Sequence, residues 1–132
     1  MYREGRAMRG TKPTLRTDAP GALTTAPRAP AWLSADAKRE WLRVIGDLVS
    51  RRIVTAADLG GVENYCVAVG RVRQLEKLIE AEFDLRLLRA QNQALETSRR
   101  LAAELGLTPV SRSRPSVRDA ANDDNDLDSF NL

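Results

Sequence analysis

Five cations recur every three or four residues near the start of the chain: Arg3, Arg6, Arg9, Lys12 and Arg16. At that spacing on an extended segment they can follow a phosphate backbone and displace its condensed counterions. Arg112 and Arg114 stand in a Ser-Arg-Ser-Arg string, where hydroxyl and guanidinium groups both suit phosphate oxygens. Arg71 with Arg73, and Arg99 with Arg100, are further basic pairs; on helices such pairs ordinarily form a solvated face. Tyr2 alone interleaves the N-terminal cations, so stacking on single-stranded bases has little to work with. The chemistry that these residue types offer is electrostatic binding of a duplex polyanion.

Covalent catalysis has much less to draw on. The sequence has no histidine and a single cysteine, Cys66, which sits in an apolar helical pattern. The Ser-His and Cys-His nucleophile pairs and the imidazole or all-thiolate zinc sites are thereby excluded. Gly60-Gly61 is followed by Val-Glu rather than Lys-Ser or Lys-Thr, so it is no phosphate-cradling loop. Glu80 and Glu82 could in principle share Mg²⁺, but on a charged helix they read as solvated ion-pair partners. No catalytic residue, metal site or cofactor is expected. Cys66 reads as a small buried hydrophobe, which fits a reducing compartment. No apolar run approaches a membrane span and no signal-peptide core opens the chain, so a soluble intracellular protein is expected.

The elements that position these residues are helical. Of 132 residues, the apolar ones concentrate between Trp32 and Leu107. A folded unit of that size has a small core and favours a partner, most simply further copies of itself. Residues 1–31, with Pro13, Pro20, Pro27 and Pro30, read as a flexible basic arm. Residues 32–109 read as a helical oligomerisation domain, and 110–132 as a disordered tail, basic and then acidic. Trp32 is expected to anchor the arm on the folded unit. The net charge of +3 is sorted along the chain, with Asp119, Asp123, Asp124, Asp126 and Asp128 gathered near the end. Within that acidic stretch, Leu127, Phe130 and Leu132 form a short segment suited to a partner's groove, although simple solubilisation would also account for it.

Ser34 predicts the N-cap of a first helix whose stripe is Ala37, Trp41, Val44, Ile45, Leu48 and Val49, with Lys38, Arg39, Glu40, Arg43 and Asp47 elsewhere around the axis. Thr55 and Asp58 suggest a capping box opening a second helix through Val62, Cys66, Val69 and Val72 towards Ile79. Gly60-Gly61 weakens its start and admits either a bend or a close helix contact. Near Glu82–Leu85 the register shifts without Gly or Pro, leaving two readings: a short connection before a third helix from about Leu85 to Leu105, or one long continuous helix. The third stripe runs through Leu87, Leu88, Ala94, Leu95, Leu101, Ala102 and Leu105, with Gln91 and Ser98 close to it, a pattern that suits a wet subunit interface. Gly106 and Pro109 mark its end. The predicted fold is all-α: a helical hairpin plus a long C-terminal helix, assembling through helix faces, with a disordered basic N-terminal arm and an acidic C-terminal tail.

In order along the chain, Pro30-Ala31-Trp32-Leu33, Trp41, Asp58 through Tyr65-Cys66, and the ending Leu101-Ala102-Ala103-Glu104-Leu105-Gly106-Leu107-Thr108-Pro109-Val110-Ser111-Arg112 resemble the small subunit of phage DNA-packaging terminases. One branch of that family closes its last long helix with a Leu-Gly-Leu-Thr-Pro-x-Ser-Arg string. Where the family often carries a Gly-containing extended segment between the second and last long helices, this chain has only a few residues near Phe83. The resemblance implies a ring-shaped homo-oligomer in the host cytoplasm that binds double-stranded phage DNA and regulates the large subunit, which carries the ATPase and nuclease. A helical DNA-binding transcription regulator and a structural scaffold are the alternatives. A helix-turn-helix made of the first two helices would present Thr55–Val62 to the major groove, a stretch without Arg, Lys, Gln or Asn to read base edges.

Overall fold

The computed structural model describes residues 19–113; Arg3, Arg6, Arg9, Lys12, Arg16, Arg114 and the tail segment with Leu127, Phe130 and Leu132 lie outside them. The described chain is helical: α1 (Ala35–Ser50), a 3₁₀ turn (Ala56–Asp58), α2 (Leu59–Ala81), α3 (Leu85–Glu104) and α4 (Pro109–Ser113). The one β feature among the described residues is an isolated antiparallel bridge between Ala22 and Thr55.

Ser34 starts α1 as its sequence position predicts, its hydroxyl accepting from the Ala37 N–H at 3.2 Å. The whole expected stripe is buried: Ala37, Trp41, Val44, Ile45, Leu48 and Val49. At the other end Arg52 turns the chain with φ 56°, the left-handed conformation that ends helices and is usually left to Gly or Asn. The Asp58 carboxylate then accepts from the Thr55 N–H (2.9 Å) and hydroxyl (3.0 Å), so the expected capping pair forms, but on a 3₁₀ turn one step ahead of α2.

Between α2 and α3 the chain breaks, which decides against the continuous helix. Glu82 (φ −153°, ψ 117°) and Asp84 (φ −140°, ψ 125°) are extended, and the Asp84 side chain caps α3 by accepting from the Arg86 N–H at 2.8 Å. The connection is therefore three residues, without a further hairpin. The far end of α3 is closed by two reversed bonds, Gly106 N–H to Ala103 O (3.2 Å) and Leu107 N–H to Ala102 O (2.8 Å), around Gly106 at φ 72°. This is the Schellman pattern that the Gly-Leu pair predicts. Arg51 Nη1 donates to Gly106 O at 2.7 Å and so ties the end of α3 to the end of α1.

α2 lies between its two neighbours and runs antiparallel to both; α1 and α3 pack on it rather than on one another. The core sits at one end of the molecule, where α1, Val54 and the first half of α2 meet Leu101, Ala102, Leu105 and Leu107. Leu23 and Ala29 also pack there, and the backbone bonds Ala19 N–H to Arg52 O (2.9 Å) and Leu23 N–H to Val54 O (2.8 Å) hold that strand of chain. The chain from Ala19 onward, well before Pro30, is thus already held on the folded unit. Trp32, the expected anchor, is exposed; Leu33 is buried in its place, and the Trp41 indole N–H reaches back to Pro27 O at 3.1 Å.

Gly60 and Gly61, the glycines that sequence marks for a bend or a contact, serve neither: α2 is continuous through them, a side chain at Gly60 would meet open space, and one at Gly61 would meet only Leu105 Cδ2 at 4.0 Å. The close approach is at Gly70. A Cβ there would stand 3.0 Å from the Ala37 backbone N and 3.2 Å from both Ala37 Cβ and Ser34 Oγ. Since backbone cannot swing aside, Gly70→Ala should force α1 from α2 and destabilise the fold by about 1–3 kcal/mol. Urea unfolding at one fixed chain concentration measures this; an unchanged midpoint would show that the α1–α2 contact is not the constraint described.

Candidate functional site

Two acidic side chains of α1 are buried, against the expectation that charged residues of this helix face away from its stripe. Asp36 and Glu40 stand one turn apart and retain 6% and 1% of their exposure. By position Glu40 is on the stripe, three residues after Ala37 and four before Val44; by residue type it reads as surface. Its carboxylate sits in the α1–α2 seam, accepting from the Tyr65 hydroxyl at 2.7 Å, from Arg43 Nε at 3.0 Å on both oxygens and from Arg73 Nη2 at 3.0 Å. A further contact joins Arg43 Nη2 to Glu40 Oε1, and the same guanidinium nitrogen donates to the Tyr65 oxygen at 3.3 Å. Asp36 has a cation from each helix, Arg39 Nη1 at 3.2 Å from Oδ1 and Lys77 Nζ at 3.5 Å from Oδ2.

The protonation behaviour follows from this packing. Burial pushes the Glu40 carboxyl up, but hydrogen bonds from Arg43 and Tyr65, and then the charges of Arg43 and Arg73, outweigh it and hold the group below its ordinary 4.5. The hydrogen bond to Glu40 raises Arg43 further still. Burial, followed by the hydrogen bond to Glu40 and its charge, moves the Tyr65 phenol up to about 12. Cys66 is fully buried as expected, and desolvation, with the Glu40 charge second, pushes its thiol up to about 12. Glu40 stays ionised and Tyr65 and Cys66 stay protonated through neutral pH. The cluster is built to hold charge in place rather than to pass a proton.

Of the residues predicted to meet phosphate in the N-terminal arm and the Ser-Arg-Ser-Arg string, Arg112 alone lies among the described residues. Thr108 caps α4: its hydroxyl accepts from the Ser111 N–H at 3.1 Å, while Ser111 Oγ accepts from the Thr108 N–H at 3.0 Å. Pro109 is then the first helical residue, where its missing N–H costs nothing. The Thr-Pro-x-Ser string is therefore a helix start, and it carries Arg112 on a short ordered helix where the sequence reading has a disordered tail from residue 110. Arg71 and Arg73 part company, Arg73 entering the seam and Arg71 lying beside the exposed Trp32. Arg99 pairs with Glu96 at 2.6 Å on the α3 surface.

Gln91, expected at a wet subunit interface, is instead buried against α2 in the same chain, with its amide donating to the Glu76 carboxylate and, at 3.4 Å, to Val72 O. Beyond it the hairpin of α2 and α3 leaves Leu78, Phe83, Leu85 and Leu95 exposed, and no apolar residue after Ala68 is fully buried among those described. The described residues hold no group of three or more Cys, Asp or Glu arranged for a metal ion, and no described helix is long and apolar enough to cross a membrane.

Among the described residues these features define an all-helical protein whose small core is extended by a two-helix hairpin with exposed apolar side chains. Residues 37–122, about two thirds of the chain, match the family described as "Phage terminase, small subunit". The chain belongs to the small-subunit family of phage terminases, the proteins of viral genome packaging. No curated protein and no solved structure matches it.

The depressed Glu40 carboxyl makes a signed prediction. Because its folded-state pKa lies below the unfolded value near 4.5, ionised Glu40 stabilises the fold above that pH, and the contribution is lost as pH falls through the lower folded value. Glu40→Gln should cost about 1–3 kcal/mol at pH 7, the lower range because both guanidiniums can turn to water. Urea unfolding at pH 7 and at pH 3 should show the gap to the unaltered protein closing on the acid side. A gap of constant size would mean that the Glu40 charge contributes nothing.

Proposed function

We propose that this chain is the DNA-recruiting, non-catalytic subunit of a phage packaging motor, acting in the host cytoplasm as a homo-oligomeric ring. In this reading it engages double-stranded phage DNA and regulates the large subunit that supplies ATPase and nuclease. The observation that carries it is the family match over residues 37–122, which spans α1 to α4. The exposed apolar hairpin supports self-association: Leu78, Phe83, Leu85 and Leu95 line a pair of helices too thin to bury them in one chain. A helix-turn-helix regulator is less well supported, because the exposed residues of the 3₁₀ turn and first turn of α2 are Ala56, Ala57, Asp58 and Gly60, which offer bases no donor fork.

DNA contact is assigned to Arg3, Arg6, Arg9, Lys12 and Arg16, with Arg112 and Arg114 as a second group, and contact with the large subunit to Leu127, Phe130 and Leu132. The family match begins at Ala37 and ends at Asn122, so the first group and the last segment stand on their residue chemistry alone.

The first experiment is the native mass of the purified protein. A discrete assembly well above a tetramer is expected; a monomer or dimer would count against the ring. Duplex binding should weaken with salt at a slope near −0.9 per phosphate contact, and neutralising Arg6, Arg9 and Lys12 together should flatten it by about 2.7 per engaged subunit. An unaltered slope would remove these residues from the interface. Deleting Asp126–Leu132 should weaken capture of the large subunit while leaving the native mass unchanged, and full-strength capture by the shortened chain would refute the tail assignment.

A further inference from the structure

The two buried carboxylates of α1 carry more positive charge than they need. Asp36 is bridged by Arg39 from α1 and Lys77 from α2, and Glu40 by Arg43 from α1 and Arg73 from α2. Each acid thus holds one cation from each helix. Because 36/40, 39/43 and 73/77 are all pairs four residues apart, the arrangement repeats after one helical turn, a rise of about 6 Å. The result is a ladder with the acids as its sunken middle and two rows of cations as its edges.

Neutralising two carboxylates takes two cations, and four are present. The acids are covered, with side-chain exposures of 8% and 1%, whereas Arg39, Arg43, Arg73 and Lys77 keep 66%, 64%, 40% and 64%. The surplus of two unit charges therefore lies at the surface. It is also held in position. Glu40 engages Nε and Nη2 of Arg43 and Nη2 of Arg73, leaving Nη1 of Arg43 and both Nε and Nη1 of Arg73 without a hydrogen-bond partner among the described residues. Guanidiniums fixed at one edge and open at the other are prearranged donors for oxyanions, with little side-chain freedom left to lose on binding.

We propose that this α1–α2 ladder is a contact site for the phosphate backbone of duplex DNA, formed by Arg39, Arg43, Arg73 and Lys77. The proposal rests on the packaging reading for the identity of the polyanion and adds the surface that receives it. All four residues lie inside the region that matches the family, whereas the basic residues before Ala37 lie outside it.

The test uses the full chain as purified and a duplex of about 30 base pairs, with affinity followed by fluorescence anisotropy from about 50 to 200 mM salt. Arg39→Gln with Arg73→Gln leaves one cation on each buried acid, Lys77 on Asp36 and Arg43 on Glu40. It should flatten the slope of log affinity against log salt by about 1.8 per engaged subunit. Arg86→Gln with Arg89→Gln removes the same charge at the hairpin end and should leave the slope alone. If the first variant unfolds, Arg39→Gln by itself keeps Asp36 paired with Lys77 and should flatten the slope by about 0.9. Strong duplex binding with a slope indifferent to the ladder, or changed equally by the hairpin control, overturns the ladder and leaves the packaging reading standing. An unaltered protein with no affinity for duplex DNA removes both.

Discussion

A full negative charge at Glu40 in the seam between two helices is the interaction on which the arrangement of this small protein turns. Burying an ionised carboxylate is strongly unfavourable unless every direction around it is answered by a donor. Here the answers come from Arg43 on the same helix and from Tyr65 and Arg73 on α2. Those two α2 residues are eight apart, so a single side chain fixes how α1 and α2 slide past each other as well as how they face. Gly70 lies between them and lets the backbones close to contact with Ala37. Apolar packing of Trp41, Leu48, Val62 and Cys66 would tolerate several registers; the charge and the missing Cβ select one.

With that register set, the rest of the architecture follows from length. α1 is 16 residues and α2 is 23, so the second half of α2 outruns its first partner and has only α3 beside it. Two helices cannot enclose a core, and the side chains that would have filled it (Leu78, Phe83, Leu85 and Leu95) are left facing outward. Among the described residues the molecule is thereby divided into an end whose apolar side chains are buried and an end where large ones are exposed. Membership of the terminase small-subunit family gives that division a context in packaging.

Much of this fold is legible in the sequence. Ser34 as a cap, the Ala37–Val49 stripe and the Gly106 stop each rest on a local rule that depends on residues three or four apart, and all three hold. What local rules cannot show is satisfaction at a distance. Glu40 has the phase of a core residue and the chemistry of a surface one, and its partners on α2 are 25 and 33 residues away. Phase was the signal that could have found it. Asp36 and Gln91 were obscured in the same way. Trp32 misleads in the opposite sense, since size and apolarity suggest an anchor while Leu33, next to it, takes the buried position. Thr108-Pro109 reads as a stop because Pro ends helices, although the same pair with Ser111 also begins one. Arg112 is the described member of the predicted phosphate-binding set, and it stands on α4.

The tie from Arg51 to Gly106 spans 55 residues and closes the core with the last turn of α3. During synthesis α1 and the first half of α2 emerge long before Leu101, Ala102, Leu105 and Leu107, which cover them. At ordinary elongation speeds that interval is on the order of seconds, far longer than the time in which helices form. The apolar side chains that these four residues cover therefore stay exposed until residues 101–107 have been made. Closure of this core is therefore a late step in the folding of the chain.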